Sequence, residues 1–144
     1  MQRVSNIQVY YPFQSIPFDP VKSCIALFVA EVLYKTLKEE ESNADLFDFL
    51  IHAIQALDLN DRGTANFHLA FLVHYSRYLG FYLKYEQSVP HLFKMSFDQL
   101  DGLQINHHQR NKLTENLLEY YSTHVANFGK LKSFPVLRNI FQDK

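Results

Sequence analysis

The run Cys24–Ala30, CIALFVA, is the feature that most limits what this chain can fold into. It lies in a longer stretch, FDPVKSCIALFVAEVLYKTL (Phe18 to Leu37), where Val32, Leu33 and Leu37 continue the apolar pattern. Asp19 can cap a helix N-terminus, and Pro20 suits the first helical position, where its missing N–H would be unpaired anyway. At 3.6 residues per turn the apolar side chains cover nearly the whole circumference, and such a helix must be enclosed by other elements. Lys22 and Glu31 interrupt it well below the ~20 apolar residues that span a bilayer. The stretch therefore predicts the central buried helix of a helical domain, over about Val21–Leu37.

The rest of the chain predicts elements that wrap this helix. A length of 144 residues with 47% hydrophobic and 20% charged residues suits one packed domain. Residues 4–11, VSNIQVYY, alternate Ile7, Val9 and Tyr11 as a short strand would, with no partner strand in sight. Pro12, Pro17 and Pro20 make a stiff linker after it. Ser42 or Asn43 can cap a second helix, with Asp45 and Asp48 in its first turns and a stripe of Leu46, Phe47, Leu50, Ile54 and Leu57. Asn60–Gly63 reads as a turn, and Thr64 as the cap of a third helix carrying Phe67, Phe71, Leu72, Tyr75, Tyr78 and Leu79 up to Gly80. Phe81–Ile105 is the least regular stretch, with a capping box at Ser96-Phe-Asp-Gln99 for a short helix that stops at Gly102. Asn106 with Gln109 opens another helix bearing Leu113, Leu117, Leu118 and Tyr121. After a turn at Gly129-Lys130, a final helix over about Pro135–Phe141, with Ser133 or Phe134 near its cap, should turn Val136, Leu137, Ile140 and Phe141 inward. The expected fold is all-α: five to six helices in residues 18–144 around the central buried helix, with a short extended N-terminal arm in residues 1–17.

Few chemistries fit these residues. Residues 1–72 hold five Lys/Arg against nine Asp/Glu, and residues 73–144 hold nine against six. The sequence pI of about 6.6 is far below the value above ~9 typical of a nucleic-acid-binding domain. Cys24 is the single cysteine, which excludes a disulfide framework and a cysteine-based zinc site within one chain. Residues 1–17 lack the apolar core of a signal peptide, so a cytoplasmic location with no membrane association is expected. The histidines, at 52, 68, 74, 91, 107, 108 and 124, show no pair at the i,i+3 or i,i+4 spacing that a helical metal site needs. The alternative of a haem-type, small-molecule-binding helical protein rests on His91 beside Pro90 as an axial ligand, and nothing fixes its partner. Cys24 has apolar neighbours, unlike a reactive thiolate. Glu31 is expected at a rim, or against a hydroxyl or basic group, rather than as a catalytic acid. The four glycines are dispersed and form no phosphate loop. These readings point to a protein that is not an enzyme and needs no metal or cofactor.

Four strings carry a family resemblance: SIPFDPVKSCIALFVAEVLYKTL, LFDFLIHAIQALD, NFHLAFLVHYSRYLGF and LLEYYSTHVANFGKLKSFPVLRNIF. Together they resemble the C-terminal part of the bacterial recombination mediator RecO, most nearly its Bacteroides-type forms. The likeness covers most of Arg3–Phe141 and is weak between Tyr82 and Asn106. It implies an adaptor that binds single-stranded-DNA-binding protein (SSB) and RecR, anneals strands and helps load RecA. The family plan, an N-terminal OB-fold followed by a helical domain, implies that the OB-fold is absent here and that Val4–Tyr11 resembles its last strand and exit linker. Single-stranded DNA binding is then expected to be weak, or to need the missing OB-fold. Relatives carry a longer segment after Gly80-Phe81, in some cases with four zinc-binding cysteines; this chain lacks them, so no zinc module is carried over.

The SSB tail is acidic and ends in an apolar side chain with a free carboxylate. A receptor for it should be an apolar groove rimmed by Arg or Lys. Arg62, Phe67, Phe71, Arg110 and Lys112 are the candidates for that groove. Lys130, Lys132 and Arg138 form a looser basic group that is a candidate for contact with DNA or RecR.

Overall fold

The computed structural model describes residues 12–37, 43–81, 92 and 94–141. The expected strand at residues 4–11, the Ser42 cap and His91 lie outside them. Among the described residues there are five α-helices and no strand: α1 Pro20–Thr36, α2 Ala44–Leu59, α3 Phe67–Tyr78, α4 His107–His124 and α5 Ser133–Ile140. Short 3-10 segments at Thr64–Asn66 and Phe97–Gly102 complete the all-α fold.

Local caps start the helices as the sequence predicts. Asp19 Oδ1 accepts from the N–H groups of Val21 (2.9 Å) and Lys22 (3.3 Å), with Pro20 opening α1. Asn43 Oδ1 accepts from Leu46 N–H at 3.1 Å at the start of α2. At α4 the box is reciprocal: Gln109 N–H donates to Asn106 Oδ1 at 2.8 Å, and Asn106 N–H to Gln109 Oε1 at 2.9 Å. At the 3-10 helix of Phe97–Gly102, Ser96 N–H donates to Gln99 Oε1 at 3.1 Å. Thr64 makes no such cap. The chain turns instead through Gly63, at φ 69°, where a Cβ would stand 2.4 Å from the Asp101 backbone nitrogen.

α1 packs against α2, α3 and α5 through Ile25, Phe28, Val29, Val32 and Thr36. Its enclosure is one-sided. Leu27 is 64% and Tyr34 88% exposed, and Ala30 between them is exposed too. The helix enclosed all round is α3, whose residues 67–76 are all buried except the half-buried His74. Its polar side chains are absorbed locally: Ser76 donates to Val73 O at 2.6 Å, and Tyr75 pairs with Thr36 at 2.6 Å. Thr36 gives its own proton to Val32 O at 2.7 Å, so Tyr75 is the donor of that pair.

Two predicted stripes need correction. In α2, Phe47 faces solvent, and Phe49 lies inward, stacked 4.8 Å from Tyr78 and 6.0 Å from Phe71 between ring centroids. The small Ala53 occupies the middle of that face, where an apolar count overlooks it. In α5 Leu137 is buried, as is Phe141 just past its end, but Val136 is exposed.

Long-range polar contacts lock the ends of the fold. The Glu31 carboxylate caps α5: it accepts from Lys132 N–H (2.8 Å), Ser133 N–H (2.9 Å) and the Ser133 hydroxyl (2.6 Å). Burial pushes its pKa up, but the Ser133 and Lys132 hydrogen bonds and Lys35 outweigh this and hold it below the usual value. Glu31→Ala should cost about 1 kcal/mol, as the loss of a helix cap does, read as a lower midpoint in urea denaturation.

The proline-rich entry is a clamped turn. Phe18 and Asp19 N–H groups donate to Ser15 O, and the buried Asp58 carboxylate accepts from the N–H groups of Gln14 (2.8 Å), Ser15 (2.8 Å) and Ile16 (3.0 Å).

Candidate partner-binding surface

The aromatic pair at positions 67 and 71 follows from α3 spacing, and both rings are core residues that also reach the floor of a groove. Val29 and Leu33 of α1 form one wall of it, and Leu50, Ile51, Ala53 and Ile54 of α2 the other. The groove has a volume of about 260 Å³. Phe47 and Ile51 (54% exposed) stand on the outer surface of α2 four residues apart, at the groove's edge.

None of the three cations predicted to rim this groove lines it. Arg62 is exposed and pairs with Asp101 at 3.0 Å; it meets Phe67 only in a crevice of about 10 Å³. Lys112 is exposed on α4. Arg110 is 6% exposed and works inside the fold.

Arg110 belongs to a buried polar strut between the Thr64–Asn66 turn, α3 and α4. Its Nε donates to Asn66 Oδ1 at 2.9 Å and its Nη2 to Ile105 O at 3.3 Å, while its guanidinium lies 5.7 Å from the Phe141 ring centroid. Asn66 Nδ2 in turn donates to Leu100 O and Leu103 O, at 3.0 and 3.1 Å. Thr114 Oγ1 donates to Arg110 O at 2.8 Å, so the His68 Nε2 atom 2.9 Å from that hydroxyl must be the protonated nitrogen. Burial, then the charge of Arg110, pushes His68 down to a pKa of about 3. The ring is therefore a neutral packing element, set between Phe28 and Phe141.

The second basic group is better placed for a partner. Lys35 Nζ donates to Phe128 O at 2.7 Å, and Glu31 holds the N–H groups of Lys132 and Ser133. The loop carrying the exposed Lys130 and Lys132 is thus pinned at both ends to α1. Glu31 lies four residues after Leu27 and three before Tyr34, so the pinned loop flanks the exposed strip Leu27–Ala30–Tyr34. Arg138 stands apart: it lies 3.9 Å from Glu115 and 5.4 Å from the Phe134 ring centroid. Lys130 and Lys132 are exposed on one loop tied to α1, whereas Arg62 pairs with Asp101 and, on α4, Arg110 is buried and Lys112 exposed.

Among the described residues no group of His, Cys, Asp and Glu could hold a metal ion, and no helix is long and apolar enough to cross a membrane.

Residues 17–90 match the family model described as "Recombination protein O C terminal". The chain is 33% identical to "DNA repair protein RecO" of Phocaeicola vulgatus, over 98% of this chain and 71% of that protein. The protein of that name from Bacteroides fragilis is 32% identical, over 96% and 71% of the two chains, and that from Flavobacterium psychrophilum 31%, over 98% and 71%. The Phocaeicola match spans 172 positions, more than the 144 residues of this chain, so that relative carries residues within the matched stretch that this chain lacks. No solved structure matches the chain significantly.

Proposed function

The chain belongs to the RecO family of DNA repair proteins, and on that premise we propose that it is a mediator module that holds the acidic tail of SSB, engages RecR and so helps RecA load. The role is one of holding, not of transforming a substrate. The observation that carries the reading is the pinned loop: the backbone around the exposed Lys130 and Lys132 is tied to Glu31 and Lys35 of α1, the helix that also exposes Leu27 and Tyr34. Such a surface matches a peptide with carboxylates and one apolar end, because a cation next to desolvated apolar surface pairs well with a carboxylate. Arg138, held by Glu115, and the exposed Lys112 lie on α5 and α4 and are left for RecR or DNA. The tail takes the α1 strip, and Arg62 and Arg110 keep their partners within the fold.

A fluorescent peptide copying the SSB C-terminus should bind weakly, with a dissociation constant on the order of micromolar, and release as salt rises. The double replacement Lys130→Glu with Lys132→Glu should weaken binding by about tenfold or more, since two attractive contacts become repulsive. Fluorescence anisotropy on a sample with unchanged circular dichroism measures both effects. No binding at low salt by well-folded protein would remove the SSB role, and equal affinity in the double variant would move the site elsewhere.

A further inference from the structure

α5 begins without a cap of its own. Lys132 stands at its cap position and makes no side-chain bond there, and no Asp or Glu lies in the first turn. The acceptors and the negative charge that a helix start favours come instead from α1. Glu31 Oε2 takes the Lys132 N–H, and Oε1 takes the Ser133 N–H and hydroxyl. A helix of eight residues is too short to persist alone in water, so α5 depends on its dock. That dock is narrow: Leu137 and the following Phe141 are buried, while Pro135, Val136, Arg138 and Asn139 are exposed. The lysine loop belongs to the same unit. Phe128 is buried with its ring centroid 5.6 Å from that of Tyr121, and its carbonyl accepts from Lys35 Nζ. Gly129 then turns the chain at φ 63°, and the buried Leu131 leaves its two neighbours, Lys130 and Lys132, exposed. The lysines thus owe their place relative to α1 to Glu31 and Lys35.

We propose that Glu31 is a positioning residue for the lysine loop, one that makes the docking of α5 and the acceptance of an acidic tail a single event. This role rests on the tail reading above and adds how that site is controlled. A tail that binds only the docked arrangement must in return hold α5 in place, since coupling between two equilibria is reciprocal. Charge and position predict opposite outcomes at residue 31. Glu31 is a carboxylate bonded to the backbone of a loop that receives carboxylates, so by charge alone its removal would tighten tail binding. By position, its removal frees the loop from α1 and weakens binding, because the lysines must then be ordered at the moment of association. Position dominates, since the three donors at the start of α5 already absorb the carboxylate's charge.

The test takes the full chain, the fluorescent SSB C-terminal peptide and three variants. Glu31→Gln places an amide N–H2 where an oxygen now accepts, and Glu31→Asp keeps the charge on a shorter side chain. Both should weaken tail binding about fivefold or more, at a temperature where circular dichroism shows each variant folded. Asn43→Ala removes the cap of α2 instead; it should lower the melting midpoint to a similar extent and leave tail affinity as it was. Hydrogen exchange gives the reciprocal reading. The Lys132 and Ser133 amides should exchange faster in both Glu31 variants. In the wild type, peptide at ten times its Kd should slow them about tenfold. Where the wild type binds, this role alone is overturned by equal or tighter binding in Glu31→Gln, by a matching loss in Asn43→Ala, or by amide exchange that ignores the peptide. A folded wild-type chain that binds no tail overturns the tail reading, and the role of Glu31 with it.

Discussion

Replacing Asp58 by alanine is expected to destabilise the domain by about 3–5 kcal/mol, because three backbone N–H groups lose their charged acceptor at about 1–3 kcal/mol each. Asp58 is 2% exposed, and its carboxylate is the acceptor for three successive backbone N–H groups of the entry turn. Its neighbour Lys22 is 1% exposed, with Nζ bound to Ser15 Oγ (2.8 Å), Asp58 O (3.1 Å) and the exposed Asp61 (3.3 Å). Alanine at position 58 orphans the three donors and leaves the Lys22 charge with only a weak, solvent-facing counterion.

The same carboxylate sets a pH signature. Burial alone would raise its pKa, but the N–H groups of Gln14, Ser15 and Ile16, with Lys22, hold it below the ordinary value of 3.8. A depressed folded pKa means that the unfolded chain binds the proton first. The stabilisation is then complete above the ordinary carboxyl range and is lost as the pH falls from there through the folded value. Urea denaturation between pH 7 and 3 should show the wild-type chain weakening steeply at the acid end, and Asp58→Ala with a lower midpoint at pH 7 and a flatter acid limb. Matching midpoints at pH 7 would show that the clamp contributes nothing.

Features that depend on near neighbours were legible in the sequence. Asp19, Asn43 and the Asn106–Gln109 box act within three residues of themselves, so short-range chemistry decides them. Which helix would be enclosed was not legible, because a helix cannot report how many neighbours surround it. α1 has the greasier sequence and yet leaves Leu27 and Tyr34 in solvent, while α3 keeps His68 and Ser76 inside by giving each a hydrogen-bond partner. Glu31 was expected to meet a hydroxyl or a basic group, and it does; that the hydroxyl belongs to Ser133, 102 residues away, is a tertiary fact.

The candidate site divides in the same way. Phe67 and Phe71 could be read from spacing as one aromatic face, but the side of the fold on which each cation emerges could not. One signal was available and missed. Arg110 heads the series Leu113, Thr114, Leu117 and Tyr121 at three, four, seven and eleven residues, which is the buried stripe of α4. Its place in that stripe marks it as an inward residue, however polar its side chain.

That placement changes what a substitution at Arg110 tests. Arg110→Ala leaves the buried acceptor Asn66 Oδ1 unpaired, at about 1–3 kcal/mol, loses the bond to the half-buried Ile105 O, and removes the guanidinium packed on Phe141. Arg110→Lys should recover little of this, since an ammonium is a point donor and cannot reproduce a planar fork that reaches two acceptors while lying against a ring. Arg110→Glu should be the most damaging of the three, because its carboxylate would face the very oxygens that the guanidinium now satisfies. Thermal melts should rank the variants wild type, Lys, Ala, Glu in falling stability. SSB-tail affinity, measured on Arg110→Lys at a temperature where it remains folded, should match the wild type. Any loss of binding in Arg110→Glu then follows the unfolded fraction. A fully folded Arg110→Glu chain with weakened tail binding would reverse the assignment and return Arg110 to the partner surface.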